Sequence, residues 1–254
     1  MANAQNIERM KRARRRNEKR VALVTGAASG IGQAVVAALR SMDLEVYGAD
    51  VAPGVELHLD VTSEQDWDRV AEELPRLDLL VLSVGISHAA PLTETSLADW
   101  RRVQAVNLDG AFLGVRMALR KMSRGGSIVL IGSASGKKAV AGAGAYCASK
   151  AALRMLTRVA ALEGKPRGIR VNSVSPAGVA TPMWRSMPFF QEAVEKLGSE
   201  EAAWETLGGV DPAKSPLERM AFAEEVARTV LFLCSNDAGM ITGADLAADA
   251  GYTA

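Results

Sequence analysis

The residues with the clearest chemical potential are a tyrosine and a lysine four positions apart, Tyr146 and Lys150. They lie in the run 143–162, which is rich in Ala and Leu, contains no proline and therefore predicts a helix. Residues at i and i+4 share one face of a helix, which places the lysine ammonium close to the phenol. A nearby cation stabilises a phenolate and lowers the pKa of the phenol. We therefore predict that Tyr146 exchanges protons with an alcohol near neutral pH.

A glycine-rich turn near the start of the chain gives independent support, because a Tyr-x-x-x-Lys match by itself also arises by chance. Residues 20–25 read as a short buried strand, which runs into Gly26-Ala-Ala-Ser-Gly-Ile-Gly32 and then into an amphipathic helix. Glycines let the backbone approach a pyrophosphate, whose charge is met by the N–H groups and dipole of the helix start. Ordinary strand–helix turns also contain glycine, so the two motifs carry weight only together.

Together the two motifs resemble the short-chain dehydrogenase/reductase family in its common single-domain form. The resemblance runs from about residue 19 to the C-terminus and includes Ile241-Thr-Gly243. It implies an α/β fold: a Rossmann-type, doubly wound parallel sheet of about seven strands flanked by helices. It also implies a nicotinamide cofactor and an oxidoreductase reaction.

The resemblance assigns catalytic roles to Asn107, Ser133, Tyr146 and Lys150. Ser133 follows a predicted strand and precedes Tyr146 by 13 residues, the spacing with which the family brings both hydroxyls to one substrate oxygen. Asn107 lies on the inward stripe of a helix predicted over 97–122, where an unpaired polar side chain is costly. In the family this asparagine holds a water that links the catalytic lysine to solvent. A hydrogen bond from Asn107 to a nearby backbone carbonyl is an alternative that can hold at the same time.

The resemblance also implies a set of cofactor contacts. Asp50 ends the predicted second strand, where an acidic residue binds the adenosine ribose hydroxyls, repels a 2′-phosphate and so favours NAD. No Arg or Lys stands in the glycine turn or directly after Asp50 to receive that phosphate. The alternative is an aspartate that merely ends a strand. The implied cofactor-binding residues are Gly26, Ser29, Gly30, Ile31, Gly32, Asp50, Asp60, Val61, Gly85, Asn107, Tyr146, Lys150, Val179 and Thr181.

Several of these residues have specific implied roles. Asp60 and Val61 match an Asp-Val pair that lies beside the adenine ring. Val179 offers backbone groups to the nicotinamide carboxamide, and Thr181 offers a hydroxyl to the cofactor phosphates. Lys150 also binds the nicotinamide ribose.

The chain departs from the family pattern at three places. Only nine residues separate Asp50 from Asp60, so we expect a shortened helix between strands 2 and 3, with strand 3 at 55–59. Leu82-Ser83-Val84 stands where most relatives have Asn-Asn-Ala, which removes the hydrogen bonds of two asparagine side chains. Ala177 stands where relatives usually have Gly. We expect these changes to affect sheet bracing, the affinity for the adenosine side of the cofactor and local backbone angles, and not the reacting atoms.

The segment 182–216 follows the family pattern least, and we interpret it as a substrate lid. It contains the apolar cluster Met183, Trp184, Met187, Phe189 and Phe190. The cluster either lines an apolar substrate pocket or packs a lid helix on the core. Lys137 and Lys138 either meet an acidic substrate group or are solvated loop charges.

Composition limits the remaining possibilities. A chain of 254 residues with 48% hydrophobic content can bury one sizeable core, which we place at 19–254. The cysteines Cys147 and Cys234 and the histidines His58 and His88 form no disulfide or zinc pattern, so we predict no metal site. No apolar run reaches 18 residues, and we expect a cytoplasmic protein without a membrane span.

The net charge of +1 hides a strongly basic start. Residues 1–20 contain eight Lys or Arg and two Glu, net +6, so the remaining 234 residues carry −5. We interpret 1–18 as a basic, flexible leader. Binding of nucleic acid by this leader is the weaker alternative, because it has no aromatic residues or apolar stripe.

These observations predict an NAD-dependent oxidoreductase that interconverts a secondary alcohol and a ketone, with Tyr146 as acid and base. We expect a homotetramer or dimer. The alternative is a non-catalytic NAD-binding sensor or scaffold on the same fold.

Overall fold

A seven-stranded parallel sheet forms the centre of the computed structural model, which describes residues 19–208 and 221–254. The strands are β1 Arg20–Thr25, β2 Leu44–Asp50, β3 Leu57–His58, β4 Leu79–Leu82, β5 Gly126–Ile131, β6 Ile169–Pro176 and β7 Asp245–Ala248. They lie in the order β3-β2-β1-β4-β5-β6-β7. The direction of strand addition reverses between β1 and β4, so a crevice opens outside the carboxyl ends of these strands. The predicted doubly wound fold is confirmed.

Helices cover both faces of the sheet. They are α1 Gly30–Arg40, α2 Glu64–Glu73, α3 Leu97–Gln104, α4 Gly110–Lys121, α5 Gly144–Gly164, α6 Pro188–Leu197, α7 Glu200–Gly208 and α8 Ala223–Cys234. A π-helical turn, Ala105–Asp109, joins α3 to α4. The helix predicted over 97–122 is therefore a continuous helical segment with one widened turn, and such turns are frequent at functional sites. Asn107 lies in the middle of this turn.

The sheet separates two apolar cores. Successive strand residues point to opposite faces, so Val21 and Leu23 join the core under α2, α4 and α5, while Ala22 and Val24 join the core under α1 and α8. Both faces are covered, which explains why the strands read as nearly continuous apolar runs.

The connection between β2 and β3 departs from the usual crossover. Residues 51–56 form bends and contain no helix, so the predicted shortening goes as far as complete loss. Strand β3 pairs with β2 only through Ala49 with Leu57 and Asp50 with His58, and is shorter than the predicted 55–59. Six residues are too few for a helical crossover between parallel strands.

Two predicted segments fall wholly or partly outside the described residues. The basic leader, 1–18, lies outside them, as does the end of the predicted lid, 209–216. In the part of the chain that is described, none of the helices combines the length and apolar character of a membrane span.

Candidate active site

The glycine turn after β1 forms an anion cradle at the start of α1. Ser29 is the N-cap of α1, yet its side chain makes no capping hydrogen bond, and the first turn contains no acidic residue. The first N–H groups of the helix and its positive dipole are therefore not neutralised locally. A Cβ atom at Gly32 would lie 2.1 Å from the carbonyl oxygen of Gly26, so only glycine permits this turn. The cradle fits the pyrophosphate of a dinucleotide.

The segment after β6 faces this cradle. Gly30 has a φ of +54°, and a Cβ atom built there would lie 3.3 Å from Cγ2 of Thr181. Thr181 thus lies beside the glycine turn, and its contact with the cofactor phosphates stays a prediction. The positive φ after Pro176 belongs to Gly178, at +51°, and not to Ala177. Ala177 is therefore compatible with the bend, although relatives usually have glycine there.

The backbone of Val179, beside Thr181, has no hydrogen-bond partner within the described residues 19–208 and 221–254. Its neighbours form the bridge to Ala221: the N–H of Ala221 donates to the Gly178 carbonyl, and the N–H of Ala180 donates to the Ala221 carbonyl. These two bonds leave out the N–H and C=O of Val179. The backbone of Val179 is thus suited to the predicted contact with a carboxamide.

The Asp50 carboxylate links the end of β2 to the glycine turn. It accepts hydrogen bonds from the N–H of Ala28, at 3.2 Å, and from the N–H of Ala52, at 3.0 Å. Two carboxylate oxygens have about four acceptor positions, so capacity remains for ribose hydroxyls. Asp60 is exposed, and its Oδ1 accepts from the N–H and the hydroxyl of Thr62, at 2.9 and 2.7 Å.

Val61, next to Asp60, is buried. Its carbonyl accepts a hydrogen bond from Nε1 of Trp67 at 2.9 Å. This bond anchors the loop between β3 and α2 to the first turn of α2.

Tyr146, Lys150 and Ser133 lie together beyond the carboxyl end of β5. The Ser133 hydroxyl lies close enough to the Tyr146 phenol to lower its pKa, and Lys150 Nζ lies 5.6 Å from the centroid of the Tyr146 ring. Lys150 is 3% exposed, and its ammonium donates to the Ile131 carbonyl at 2.9 Å. The N–H of Ser135 donates to Oγ of Ser133 at 3.1 Å and holds that hydroxyl in place. The structure thus brings three of the four predicted catalytic residues into one cluster.

Asn107 joins this cluster through Gly85. A Cβ atom built on Gly85 would lie 3.3 Å from Lys150 Nζ and 3.5 Å from Asn107 Oδ1, so both polar groups approach the same backbone position. Asn107 is 1% exposed, and its Nδ2 donates to the carbonyl of Ile86 at 2.9 Å. The alternative of a backbone hydrogen bond is confirmed. A water between Asn107 and Lys150 stays a prediction.

Sequence reasoning missed Ser149, which connects two catalytic residues. Its hydroxyl accepts from Asn107 Nδ2 at 3.0 Å and donates to the Tyr146 carbonyl at 2.7 Å. A serine inside an alanine-rich helix, three residues after the tyrosine, is a weak local signal for such a bond. The backbone partners Ile86 and Ile131 have no side-chain signal and could not be found from the sequence.

Burial determines the protonation of the tyrosine and lysine. It raises the pKa of the Tyr146 phenol above its ordinary value, and the nearby Ser133 hydroxyl opposes this only in part. Burial also lowers the pKa of Lys150 to about 8. The pKa of Tyr146 in the chain alone is thus raised and not lowered, because burial disfavours the charged phenolate. The effect of Lys150 on this pKa stays a prediction. The phenol is protonated at neutral pH and suited to act as an acid.

Aromatic rings pack the predicted lid against itself. Phe190 is buried, and its ring centroid lies 4.5 Å from that of Trp204. Trp184 meets the same Trp204 ring at 6.1 Å, edge to face. All three rings belong to the segment 182–216, so these contacts hold the segment together. That the apolar cluster lines a substrate pocket, or packs a lid helix on the core, stays a prediction. The side chain of Phe189 lies outside what the structure describes.

The two loop lysines contact the C-terminal part of the chain. Lys137 forms an ion pair with the buried carboxylate of Asp245 at 3.2 Å. Lys138 donates to the Tyr252 carbonyl at 3.1 Å, and its ammonium lies 4.3 Å from the centroid of the Tyr252 ring. A contact of these lysines with an acidic substrate group stays a prediction, and Lys138 remains exposed despite its contacts with Tyr252.

Metal-binding side chains are not grouped in the described ranges 19–208 and 221–254. No set of three or more His, Cys, Asp or Glu side chains there is arranged to hold a metal ion.

Comparisons with known proteins agree with this geometry. A family model described as "Enoyl-(Acyl carrier protein) reductase" matches residues 26–253. The cis-4-hydroxycyclohexanecarboxylate dehydrogenase of Sinomonas cyclohexanicum is 38% identical, over 93% of this chain and 97% of that protein. The cyclopentanol dehydrogenase of Comamonas testosteroni is 36% identical, over 94% and 98%. The D-threitol dehydrogenase of Mycolicibacterium smegmatis is 36% identical, over 94% of each chain.

The solved structures show the same likeness. The ligand-free aldohexose dehydrogenase of Thermoplasma acidophilum superposes with a TM-score of 0.83 at 30% identity, over 93% of this chain and 94% of that one. Fold and site together are those of a nicotinamide-dependent oxidoreductase. The chain belongs to the short-chain dehydrogenase/reductase family.

Proposed function

We propose that this protein interconverts a secondary alcohol and a ketone with NAD as its cofactor. The observation that carries the proposal is the cluster in which Ser133 and Tyr146 lie beside the buried ammonium of Lys150. The relatives named as dehydrogenases of cyclopentanol, of a hydroxycyclohexane carboxylate and of threitol support an alcohol as the substrate. Cytoplasmic location stays a prediction.

The cluster divides the proton chemistry among its members. Ser133 donates a hydrogen bond that orients the substrate oxygen, and Tyr146 transfers a proton at that oxygen. In ketone reduction the neutral phenol gives its proton, and in alcohol oxidation the phenolate takes the hydroxyl proton. When bound, the nicotinamide cofactor supplies the hydride acceptor or donor. Lys150 stabilises the phenolate form, and Asn107 holds the loop that passes beside Lys150.

A preference for NAD over NADP is supported by charge at the end of β2. The Asp50 carboxylate lies within hydrogen-bond distance of Ala28 in the glycine turn, where it would repel a 2′-phosphate. No arginine or lysine occurs between Gly26 and Gly32 or directly after Asp50 to offset that repulsion.

The segment 182–216 is proposed as a lid over the substrate. Its described part begins at Pro182, directly after Thr181, which faces the glycine turn. The aromatic contacts of Trp204 make this part a packed unit. Such a unit can cover a substrate and exclude water from the reacting atoms.

A homotetramer or dimer remains part of the proposal. Phe112 on α4 and Met155, Val159 and Leu162 on α5 are large apolar residues that are 45–73% exposed. Apolar groups clustered on adjacent helices are typical of contact surfaces. We expect light scattering coupled to size exclusion to give a mass of two or four chains.

The proposed reaction is tested by a screen of cyclic secondary alcohols and polyols with NAD and NADP, followed by the absorbance of the reduced cofactor. We expect turnover with NAD on at least one cyclic alcohol, and loss of about 10²–10⁴ in kcat for Tyr146→Phe. Cofactor binding without turnover of any alcohol would instead favour a sensor. A Tyr146→Phe variant with wild-type kcat would refute the assignment of the acid.

A further inference from the structure

A cavity of about 680 Å³ lies at the amino-terminal edge of the sheet. It is lined by the starts of β1, β5 and β6 and by the ends of α5 and α8. The candidate active site lies at the other end of these strands, about 17 Å away along β5 at the usual rise per residue. The volume falls within the range of small-molecule pockets. The cavity is thus separate from the catalytic cluster and large enough for a ligand.

Four cationic side chains line this cavity: Arg20, Arg158, Lys165 and Arg170. In the described ranges, no Asp or Glu contributes to the lining, and no ion pair joins any of these four to a carboxylate. The ends of α5 and α8 attract cations, but each helix end amounts to only about half a unit charge. The cavity therefore keeps a net positive charge.

Arg170 is a fixed member of the cluster. Its guanidinium donates to the Ser235 carbonyl at 2.9 Å and to the Ile241 carbonyl at 3.4 Å, so it is held at the cavity wall. Burial lowers the pKa of Arg170, and the charge of Arg20 lowers it further. The guanidinium groups of Arg20 and Arg170 repel each other in a partly desolvated site. A bound anion would offset this repulsion and stabilise both charged groups.

The other residues that line the cavity leave room for a ligand and carry no charge. A Cβ atom built at Gly125 or Gly168 would meet no atom within 4 Å, so the rim is open at both positions. Ala161 and Ile169 supply an apolar floor. Burial raises the pKa of the Cys234 thiol to about 12, so Cys234 stays neutral.

We propose that this cavity binds a small molecule with a phosphate chain, either free or attached to a nucleoside. Arg20, Arg158, Lys165 and Arg170 contact the phosphate oxygens. The planar guanidinium group of arginine presents paired N–H donors that match the spacing of phosphate oxygens. The lysine ammonium adds a compact positive charge. The site is independent of the proposed dehydrogenase reaction, because this ligand lies at the amino ends of the strands and the alcohol substrate at their carboxyl ends.

The proposal is tested by calorimetric titration of the full chain with tripolyphosphate and, separately, with guanosine triphosphate. The test variant is Arg158→Gln/Lys165→Gln, because both side chains are exposed and neither makes a hydrogen bond or ion pair within the described residues. The control variant is Arg101→Gln/Arg120→Gln, which makes the same change in net charge at exposed positions outside the cavity.

We expect saturable binding with one ligand per chain, weakened at least tenfold in the test variant and by less than twofold in the control. Tighter binding of guanosine triphosphate than of tripolyphosphate identifies a nucleotide ligand, and equal binding identifies the phosphate chain alone. No saturable binding at low salt, an unchanged affinity in the test variant, or an equal loss in the control overturns the proposal. An unchanged test variant would place the binding elsewhere, for example at the basic leader or the glycine turn.

Discussion

Asn107 and the backbone of Ile86 exchange two hydrogen bonds across 21 residues of sequence. The amide nitrogen of Asn107 donates to the Ile86 carbonyl at 2.9 Å, and the N–H of Ile86 donates to Oδ1 of Asn107 at 2.8 Å. The pair fastens the loop after β4 to the π-helical turn, and Gly85 is thereby held beside Lys150. A buried asparagine satisfied in this way positions the backbone next to the reacting groups.

Replacing Asn107 by alanine should therefore reduce both stability and turnover. The buried N–H and C=O of Ile86 lose their partner, which costs about 1–3 kcal/mol for each unsatisfied group. Urea unfolding measures the loss of stability, and kcat measures the displacement of Gly85 and Lys150. Ser149→Ala is the matched control, because it removes one bond to Asn107 and one to the Tyr146 carbonyl and leaves the exchange between Asn107 and Ile86 intact. Equal losses in the two variants would contradict the special role of the Ile86 pair.

Lys150 should make stability depend on pH in the alkaline range. Its pKa in the folded chain is about 8, below the ordinary value of 10.5, so the unfolded chain binds more protons between these two values. Stability then rises with pH in this window, by at most about 1.4 kcal/mol per pH unit for one group. Below pH 8 both states carry the charged lysine, and the burial penalty is fully present.

The measurement compares wild type with Lys150→Met by urea unfolding from pH 7 to 9.5. We expect the stability of the variant relative to wild type to decrease as the pH rises above about 8, because methionine carries no burial penalty to relieve. The upper limit of pH 9.5 stays below the pH range in which ionisation of Tyr146 changes the stability. Burial raises the pKa of Tyr146, so ionisation of the unfolded chain near pH 10 acts in the opposite direction. Parallel stability curves for the two proteins would show that Lys150 is hydrated and not desolvated.

Asp50→Asn should shift the cofactor preference from NAD towards NADP. The neutral amide removes the repulsion of a 2′-phosphate and weakens acceptance from the ribose hydroxyls. We expect kcat/KM with NAD to fall about tenfold, which corresponds to ~1.4 kcal/mol, while kcat/KM with NADP rises. Asp43→Asn is the control, because Asp43 is an exposed surface aspartate paired only with Lys19 in the described structure. A ratio of the two kcat/KM values that does not move would reject Asp50 as the discriminating residue.

Phe190→Ala should loosen the proposed lid. Phe190 is buried against Trp204, and removal of a buried phenylalanine ring typically costs about 3–5 kcal/mol. Hydrogen exchange should accelerate in residues 182–208 more than in the sheet, and KM should rise more than kcat falls. Phe232→Ala on α8 is the control, because that ring is 40% exposed. If exchange accelerates uniformly along the chain, the segment is part of the core and not a separable lid.

The elements and the motifs could be predicted because they depend on local periodicity. The strand, glycine turn and helix at 20–40 follow from an apolar run, the absence of side chains at Gly26 and Gly32, and the 3.6-residue repeat. The i,i+4 spacing places Tyr146 and Lys150 on one helix face without any knowledge of the rest of the chain. The missing helix between β2 and β3 was partly foreseen, because a short connection leaves no room for one.

Other features depended on groups that are distant in sequence. The ion pair of Lys137 with Asp245 and the bond of Lys150 to Ile131 join separate elements, and no local pattern predicts them. The pKa of Tyr146 is the clearest example. The sequence showed a cation nearby, which predicts a lowered pKa, whereas burial in the folded chain raises it.

The amino-acid sequence by itself therefore determined the family, the sheet and the identity of the residues that gather at its carboxyl edge, because these follow from short-range spacing. Only the tertiary structure decided which hydrogen-bond partners Asn107 has and how Ser149 links it to Tyr146. The tertiary structure also decided which protonation states of Tyr146 and Lys150 burial favours. Desolvation and long-range hydrogen bonds depend on which surfaces meet in the folded chain, and that information is carried by the packing of all the elements together.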